Sequence, residues 1–195
     1  HWDESFGYFG ASRDYGTQTN NTQKSWNDSD GSGTLDYKTE YNFDWAAYAA
    51  KRDDCDGCDT GGFAAAIFGA YVQGRHLIDT QAALTEIQAQ RTLVSQNWEK
   101  VIAANILHYA NSVEADIASG SSDLGKHWSE MRAFGMALQY NTLADCIIST
   151  ETLTDMLTAM GTVPPSSGDY STELTTIRNA IKATYSFTDN DIANW

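Results

Sequence analysis

The chain has 195 residues, 42% of them hydrophobic, and 12 Lys and Arg stand against 26 Asp and Glu for a formal charge of -14. That length buries a substantial core without metals or disulfides being obligatory, and the apolar fraction supports a folded globule. The sign of the charge argues against nucleic acid and anionic membrane as partners; it makes cations the natural ligands, or simply keeps a secreted protein soluble.

No stretch approaches the roughly 18 consecutive apolar residues of a membrane span. There is no initiator Met and no signal-peptide pattern, and the first residues, HWDESFGYFG, read as the inside of a packed element. The chain is therefore expected to be a processed product or fragment.

Residues 1–10 predict a short amphipathic helix carrying Trp2, Phe6, Phe9 and the pair His1/Glu4. From 11 to 41 the composition turns to Ser, Thr, Asn, Gly and Asp, a long loop of the kind that is functional, mobile or pinned by something. A short helix follows over 43–52 with Phe43, Trp45 and Tyr48, then a cysteine loop. Over 62–78 the spacing of Phe63, Ile67, Ala70 and Tyr71 predicts helix, with Gly62, Gly69 and Gly74 permitting close approach of a neighbour.

The longest predicted helix, about 80–118, keeps an apolar stripe through Leu84, Ile87, Val94, Trp98, Ile106, Val113 and Ile117 until Gly120 stops it. Ser121-Ser122-Asp123 supplies capping chemistry for a helix over about 123–140. Further helices are predicted over about 142–160, ending at Gly161 before Pro164-Pro165, and over about 171–187. Strand alternation is scarce, so the fold class is all-α: one helical-bundle domain over 1–195 with a loop insertion at 11–41.

Cys55 and Cys58 form a C-x-x-C among aspartates. That spacing suits a redox pair, half a zinc site or a local disulfide. The surrounding acids should raise the thiol pKa values, which favours a structural disulfide over a reactive thiolate. Cys146, beside Ile147-Ile148, reads as a buried free thiol.

Two constellations carry chemistry. In Asp28-Ser29-Asp30-Gly31-Ser32-Gly33-Thr34-Leu35-Asp36, the residues Asp28, Asp30, Ser32, Thr34 and Asp36 fall at alternate ligand positions of an EF-hand-type loop, with Gly33 at the sharp turn. Hard oxygen donors in that order suit Ca²⁺. The closing position holds Thr39 in place of Glu, so the last ligand falls to Glu40, to Asp44 or to water. A solvated Gly/Ser/Asp turn is the plain alternative.

The second constellation is His127/Glu130, echoed by His1/Glu4, each a His-Trp-x-Glu. At i and i+3 on a helix the two side chains share a face, about 5–6 Å apart. Two copies on facing helices would supply a two-His, two-carboxylate set for zinc, iron or manganese; a core histidine bonded to a carboxylate is the plainer use. His76, His108 and the early aromatics Trp2, Phe6, Tyr8, Phe9, Trp26 and Trp45 are further candidates for a site, though core packing is the commoner role of such rings. No nucleophile elbow, H-E-x-x-H, P-loop or dinucleotide fingerprint occurs.

Gly125-x-His127-x-x-Glu130 resembles the Gly-x-His-x-x-Glu signature of the imelysin-like proteins of bacterial envelopes. Together with His1-Trp2-Asp3-Glu4 through Gly10, and with Phe134-Gly135-Met136-Ala137-Leu138, it resembles a branch of that group classed as a domain of unknown function. The resemblance implies an internally duplicated helical bundle, export to the periplasm or cell surface, and a start midway through a longer protein, so that the chain would be its C-terminal half. It also implies that His127 and Glu130 are a metal or active-site pair, in a group that includes peptidases and proteins linked to iron or haem uptake.

Three functions follow as expectations. The first is a calcium-stabilised extracytoplasmic domain that binds a ligand or partner, linked to metal acquisition. The second is a metal-dependent hydrolase built on His1, Glu4, His127 and Glu130. The third is a structural subunit of a surface assembly, with self-association or a protein partner.

Overall fold

In the computed structural model residues 1–15, 28–165 and 169–195 are described, and among them the chain forms helices joined by loops, with no strand. The helices are α1 (Trp2–Phe9), α2 (Asp44–Asp53), α3 (Phe63–Asp79), α4 (Leu84–Ser119), α5 (Leu124–Ala137), α6 (Thr150–Met160), α7 (Ser171–Tyr185) and α8 (Asp189–Asn194). By its internal contacts the chain divides into two compact units. The first comprises residues 1–55 and 61–101, and the second 56–60 and 102–195, so that α4 contributes to both. No described helix is long and apolar enough to cross a membrane.

The first unit is built on aromatic packing. Phe9, fully buried, sits between Tyr71 and Trp98 with ring centroids 6.1 and 5.4 Å away. Phe6 meets Tyr71 edge-on at 5.4 Å and Phe68 at 6.0 Å. Trp2 donates its indole N–H to the Tyr71 carbonyl at 2.9 Å. Such edge-to-face pairs add to the area they bury. The early aromatics thus divide: Trp2, Phe6 and Phe9 pack within the unit, Tyr8 is 69% exposed, and Trp26 lies outside the described residues.

Of the three glycines of 62–74, one meets a neighbour at close range. A Cβ on Gly74 would lie 2.0 Å from the Trp2 ring, whereas one on Gly69 would meet nothing within 4 Å. Asp53, at the end of α2, accepts from the amides of Phe63 (2.8 Å) and Ala64 (2.9 Å), and so caps the first turn of α3. Burial pushes its carboxyl above the ordinary aspartate range, and the amide donors only partly offset this.

The second unit closes around the C-terminal carbonyls of α6. The Met160 carbonyl accepts from the Trp128 indole and from the Tyr170 hydroxyl, each at 2.9 Å, which satisfies a group the helix itself leaves unpaired. Gly135 lets α5 approach α6: a Cβ there would lie 2.9 Å from the Met160 sulfur. Asp191, fully buried in α8, accepts from the amides of Asp59 (2.9 Å), Thr60 (2.8 Å) and Thr188 (2.8 Å) and from the Thr60 hydroxyl (2.6 Å). Burial alone would raise its pKa; these donors hold it below the ordinary aspartate range.

Three expectations change at element ends. α6 starts at Thr150 and not near 142, because Ser149 Oγ accepts from the Thr152 amide at 3.0 Å and fixes the start there. Asp123 stands at the N-cap of α5 but its side chain makes no cap bond. α8 was not expected; Thr188 and Asp191 form a capping box at its start. Cys55 and Cys58 are joined as a disulfide, and Cys146 is half-buried instead of buried, its Sγ donating to the Ile148 carbonyl at 3.2 Å.

These contacts set opposite signs for one substitution at two sites. Gly69→Ala should stabilise the fold by about 0.5–1 kcal/mol through helix propensity. Gly74→Ala should destabilise it by about 1–3 kcal/mol because Trp2 must move. Chemical denaturation of both variants reads the difference. In the second unit, Asp191→Ala strands four donors and should cost on the order of 3 kcal/mol, measured the same way.

Candidate metal centre

Much of the backbone of the 28–43 loop is held by side chains. Glu40, 1% exposed, places one carboxylate oxygen on the Ser29 amide (2.8 Å) and hydroxyl (3.1 Å), with the Asp30 amide at 3.4 Å. Its other oxygen takes the Asp36 amide at 3.0 Å. These donors, the Asp36 amide foremost, hold the Glu40 carboxyl below the ordinary glutamate range against the opposing effect of burial.

The loop is also tied to the segment after α1. Phe43 N–H donates to the Gly10 carbonyl at 2.7 Å, Ser12 N–H to the buried Asn42 side chain at 2.9 Å, and Asp14 N–H to the Thr39 carbonyl at 2.9 Å. A Cβ at Gly10 would stand 2.7 Å from the Phe43 carbonyl oxygen, so this crossing requires glycine.

Within this frame, ligand oxygens of Asp28, Asp30 and Glu40 lie within 4.8 Å of one another. Among the described residues this is the one such gathering of three or more His, Cys, Asp or Glu groups. Asp28 accepts from the amides of Ser32 (3.0 Å) and Gly33 (2.8 Å), wrapping the turn in which Gly33 has a φ of 75°. Asp30 accepts from the Ser32 amide at 2.9 Å, and its pKa is lowered chiefly by that bond.

The remaining residues of the expected ligand set are placed otherwise. The Ser32 hydroxyl lies 3.0 Å from that of Thr34 and 3.1 Å from its carbonyl; the Asp36 carboxylate accepts from the Lys38 amide at 2.7 Å. Asp44 opens α2 with a φ of 41°. Glu40 reaches the cluster because residues 36–40 form a turn, with its amide on the Asp36 carbonyl at 2.8 Å.

The two His-Trp-x-Glu copies lie in different units and behave differently. His1 is fully exposed, with Nδ1 3.3 Å from Glu4. His127 lies 2.6 Å from Asp116 of α4, a residue the motif's spacing does not point to, and not against Glu130. Glu130 Oε2 is buried without a hydrogen-bond partner among the described residues. Tyr109 stacks on Phe134 at 5.7 Å and lies 6.0 Å from the His127 ring. His76 is exposed, and His108 packs on Tyr109 at 5.0 Å.

What the copies share is the tryptophan. Trp2 and Trp128 each donate an indole N–H at 2.9 Å to a backbone carbonyl of another helix, Tyr71 and Met160.

Residues 1–188 match the family described as "Domain of unknown function (DUF4856)". The chain belongs to that family. No curated protein and no solved structure matches it. Membership spans both units and therefore both copies of the motif and the 28–43 loop.

The lowered pKa of Glu40 fixes the sign of a pH effect. A carboxylate depressed in the folded state contributes stability above its unfolded pKa and loses it as pH falls through the folded value. Order in the 28–43 loop should therefore weaken below the ordinary glutamate range, about pH 4.3. Glu40→Gln should weaken the loop at neutral pH and flatten that acid limb. Amide chemical shifts of Ser29 and Asp36 followed against pH provide the readout.

Proposed function

We propose that the chain is a calcium-stabilised, extracytoplasmic helical domain that binds a ligand or partner and is connected to metal acquisition. The observation that carries this reading is the gathering of ligand oxygens of Asp28, Asp30 and Glu40 within 4.8 Å of one another on the 28–43 loop. Carboxylates so close repel one another unless amide donors or a cation offset the charge. Amides serve all three here, yet a carboxylate offers about four acceptor positions, and Asp28 and Asp30 keep some of theirs.

An all-oxygen donor set on an irregular loop suits Ca²⁺ better than a transition metal. A bound Ca²⁺ would supply charge neutralisation and a cross-link between the two ends of the loop. The Cys55–Cys58 disulfide supports a place outside the cytoplasm, since such bonds persist in oxidising compartments. The link to metal acquisition rests on the imelysin-like likeness around His127 and Glu130.

The test is thermal unfolding in calcium against chelator. At about 100-fold excess of calcium over Kd the stabilisation is about 2.7 kcal/mol, a rise of roughly 5 °C or more. Asp30→Ala should remove that rise. Equal melting with and without calcium in the unsubstituted protein contradicts the reading.

A metal-dependent hydrolase on the second unit is favoured by two observations on α5: Glu130 Oε2 is buried without a hydrogen-bond partner among the described residues, and His127 is oriented by Asp116. A carboxylate that fixes one imidazole nitrogen is the usual support of a metal-binding histidine. His127 and Glu130 would then hold zinc or iron. The reading requires that metal in the isolated protein and its loss, with any hydrolysis, in His127→Ala; hydrolysis that survives the change overturns it.

A further inference from the structure

Beside α1 the first unit contains an open cleft of about 350 Å³ that no motif announces. Its walls are Trp2, Phe6, Phe68, Tyr71 and Val72, and its charged lining is Asp3, Arg13 and Arg75. The size and the apolar wall with few polar groups are those of a small-molecule site. Two features preform it: the Trp2 indole is fixed by the 2.9 Å bond to the Tyr71 carbonyl and is seated on Gly74, where a Cβ would collide at 2.0 Å. A wall that need not rearrange loses little on binding.

The charged groups are not equivalent. Arg75 is paired with Asp79 at 2.9 Å and with Asp3 at 3.5 Å, so the acid in the lining already has its cation. Arg13 is exposed and, among the described residues, has no partner. In a chain with 12 basic residues against 26 acidic ones, an unpaired guanidinium lining an aromatic cleft selects the ligand's head group. Guanidinium matches carboxylate in a two-pronged geometry, and at physiological salt the repulsion from more distant acids is screened beyond about 8 Å.

We propose that this cleft binds a small monocarboxylate with an aromatic or branched apolar body, the body between Trp2, Phe6 and Phe68 and the carboxylate on Arg13. The proposal rests on the ligand-binding part of the function above and is independent of calcium.

The test is calorimetry with three probes of one shape: 3-phenylpropionate, 3-phenylpropanol and 3-phenylpropylammonium, each in calcium and in chelator. The carboxylate should bind about tenfold or more tighter than the alcohol, the worth of one charge-assisted bond, and the ammonium should be weakest. Arg13→Gln should erase the preference for carboxylate over alcohol. Val72→Trp, at a position 54% exposed where the fold tolerates bulk, should fill the cleft and abolish binding of all three, with circular dichroism unchanged.

No binding of any probe by the folded protein, ammonium binding as tight as carboxylate, or a preference untouched by Arg13→Gln each overturns the proposal. Carboxylate binding without any calcium effect on melting overturns the calcium reading alone. A calcium effect without carboxylate binding overturns the cleft alone.

Discussion

A single buried carboxylate, that of Glu40, organises the irregular loop over 28–43. The 28–43 loop lacks the repeating backbone bonds that make helices self-sufficient, and its amides need other acceptors. Glu40 supplies them, taking Ser29 and Asp30 on one oxygen and Asp36 on the other. Its charge is stabilised by those donors, and the loop by its charge. The same arrangement draws Asp28 and Asp30 to within 4.8 Å of it. The candidate cation site is thus built from the same carboxylate that holds the loop backbone.

The repeated His-Trp-x-Glu teaches a different lesson about spacing. An i, i+3 pair on a helix suggests that histidine and glutamate act together, but in the second unit His127 is taken by Asp116. The reason is the reversal at Gly120, whose φ of 67° turns the chain so that α5 returns along the end of α4. The histidines thereby come to differ, one fully exposed beside the Glu4 of its own motif and one half-buried against Asp116 of another helix. The tryptophans do not differ: each ties its helix to a carbonyl of a neighbour, and in the first unit the partner helix provides Gly74 to receive the ring. The sequence repeat is a repeat of helix anchoring before it is a repeat of chemistry.

Long helices were legible because their apolar residues recur at helical spacing over many turns, as from Leu84 to Ile117. Short ones were legible only through their caps. The six residues of α8 carry too little periodicity, and Thr188-x-x-Asp191 was the available signal. The start of α6, expected near 142, was too early because the boundary is set by a single cap, Ser149 accepting from the Thr152 amide, which apolar spacing does not mark. In the candidate site the oxygen-rich residues and the turn at Gly33 were visible. The tight turn that carries Glu40 into the cluster was not, because side-chain bonds across eleven residues leave no periodic trace. The cleft beside α1 was invisible for the same reason, being assembled from α1, α3 and Arg13.

The central claim is that Glu40 orders the loop and in doing so assembles a calcium site. Native-state hydrogen exchange at the Ser29 and Asp36 amides tests it most directly. The account predicts measurable protection without calcium, further slowing when calcium is added, and loss of both in Glu40→Gln. Exchange at these amides that is indifferent to both calcium and the substitution would contradict it.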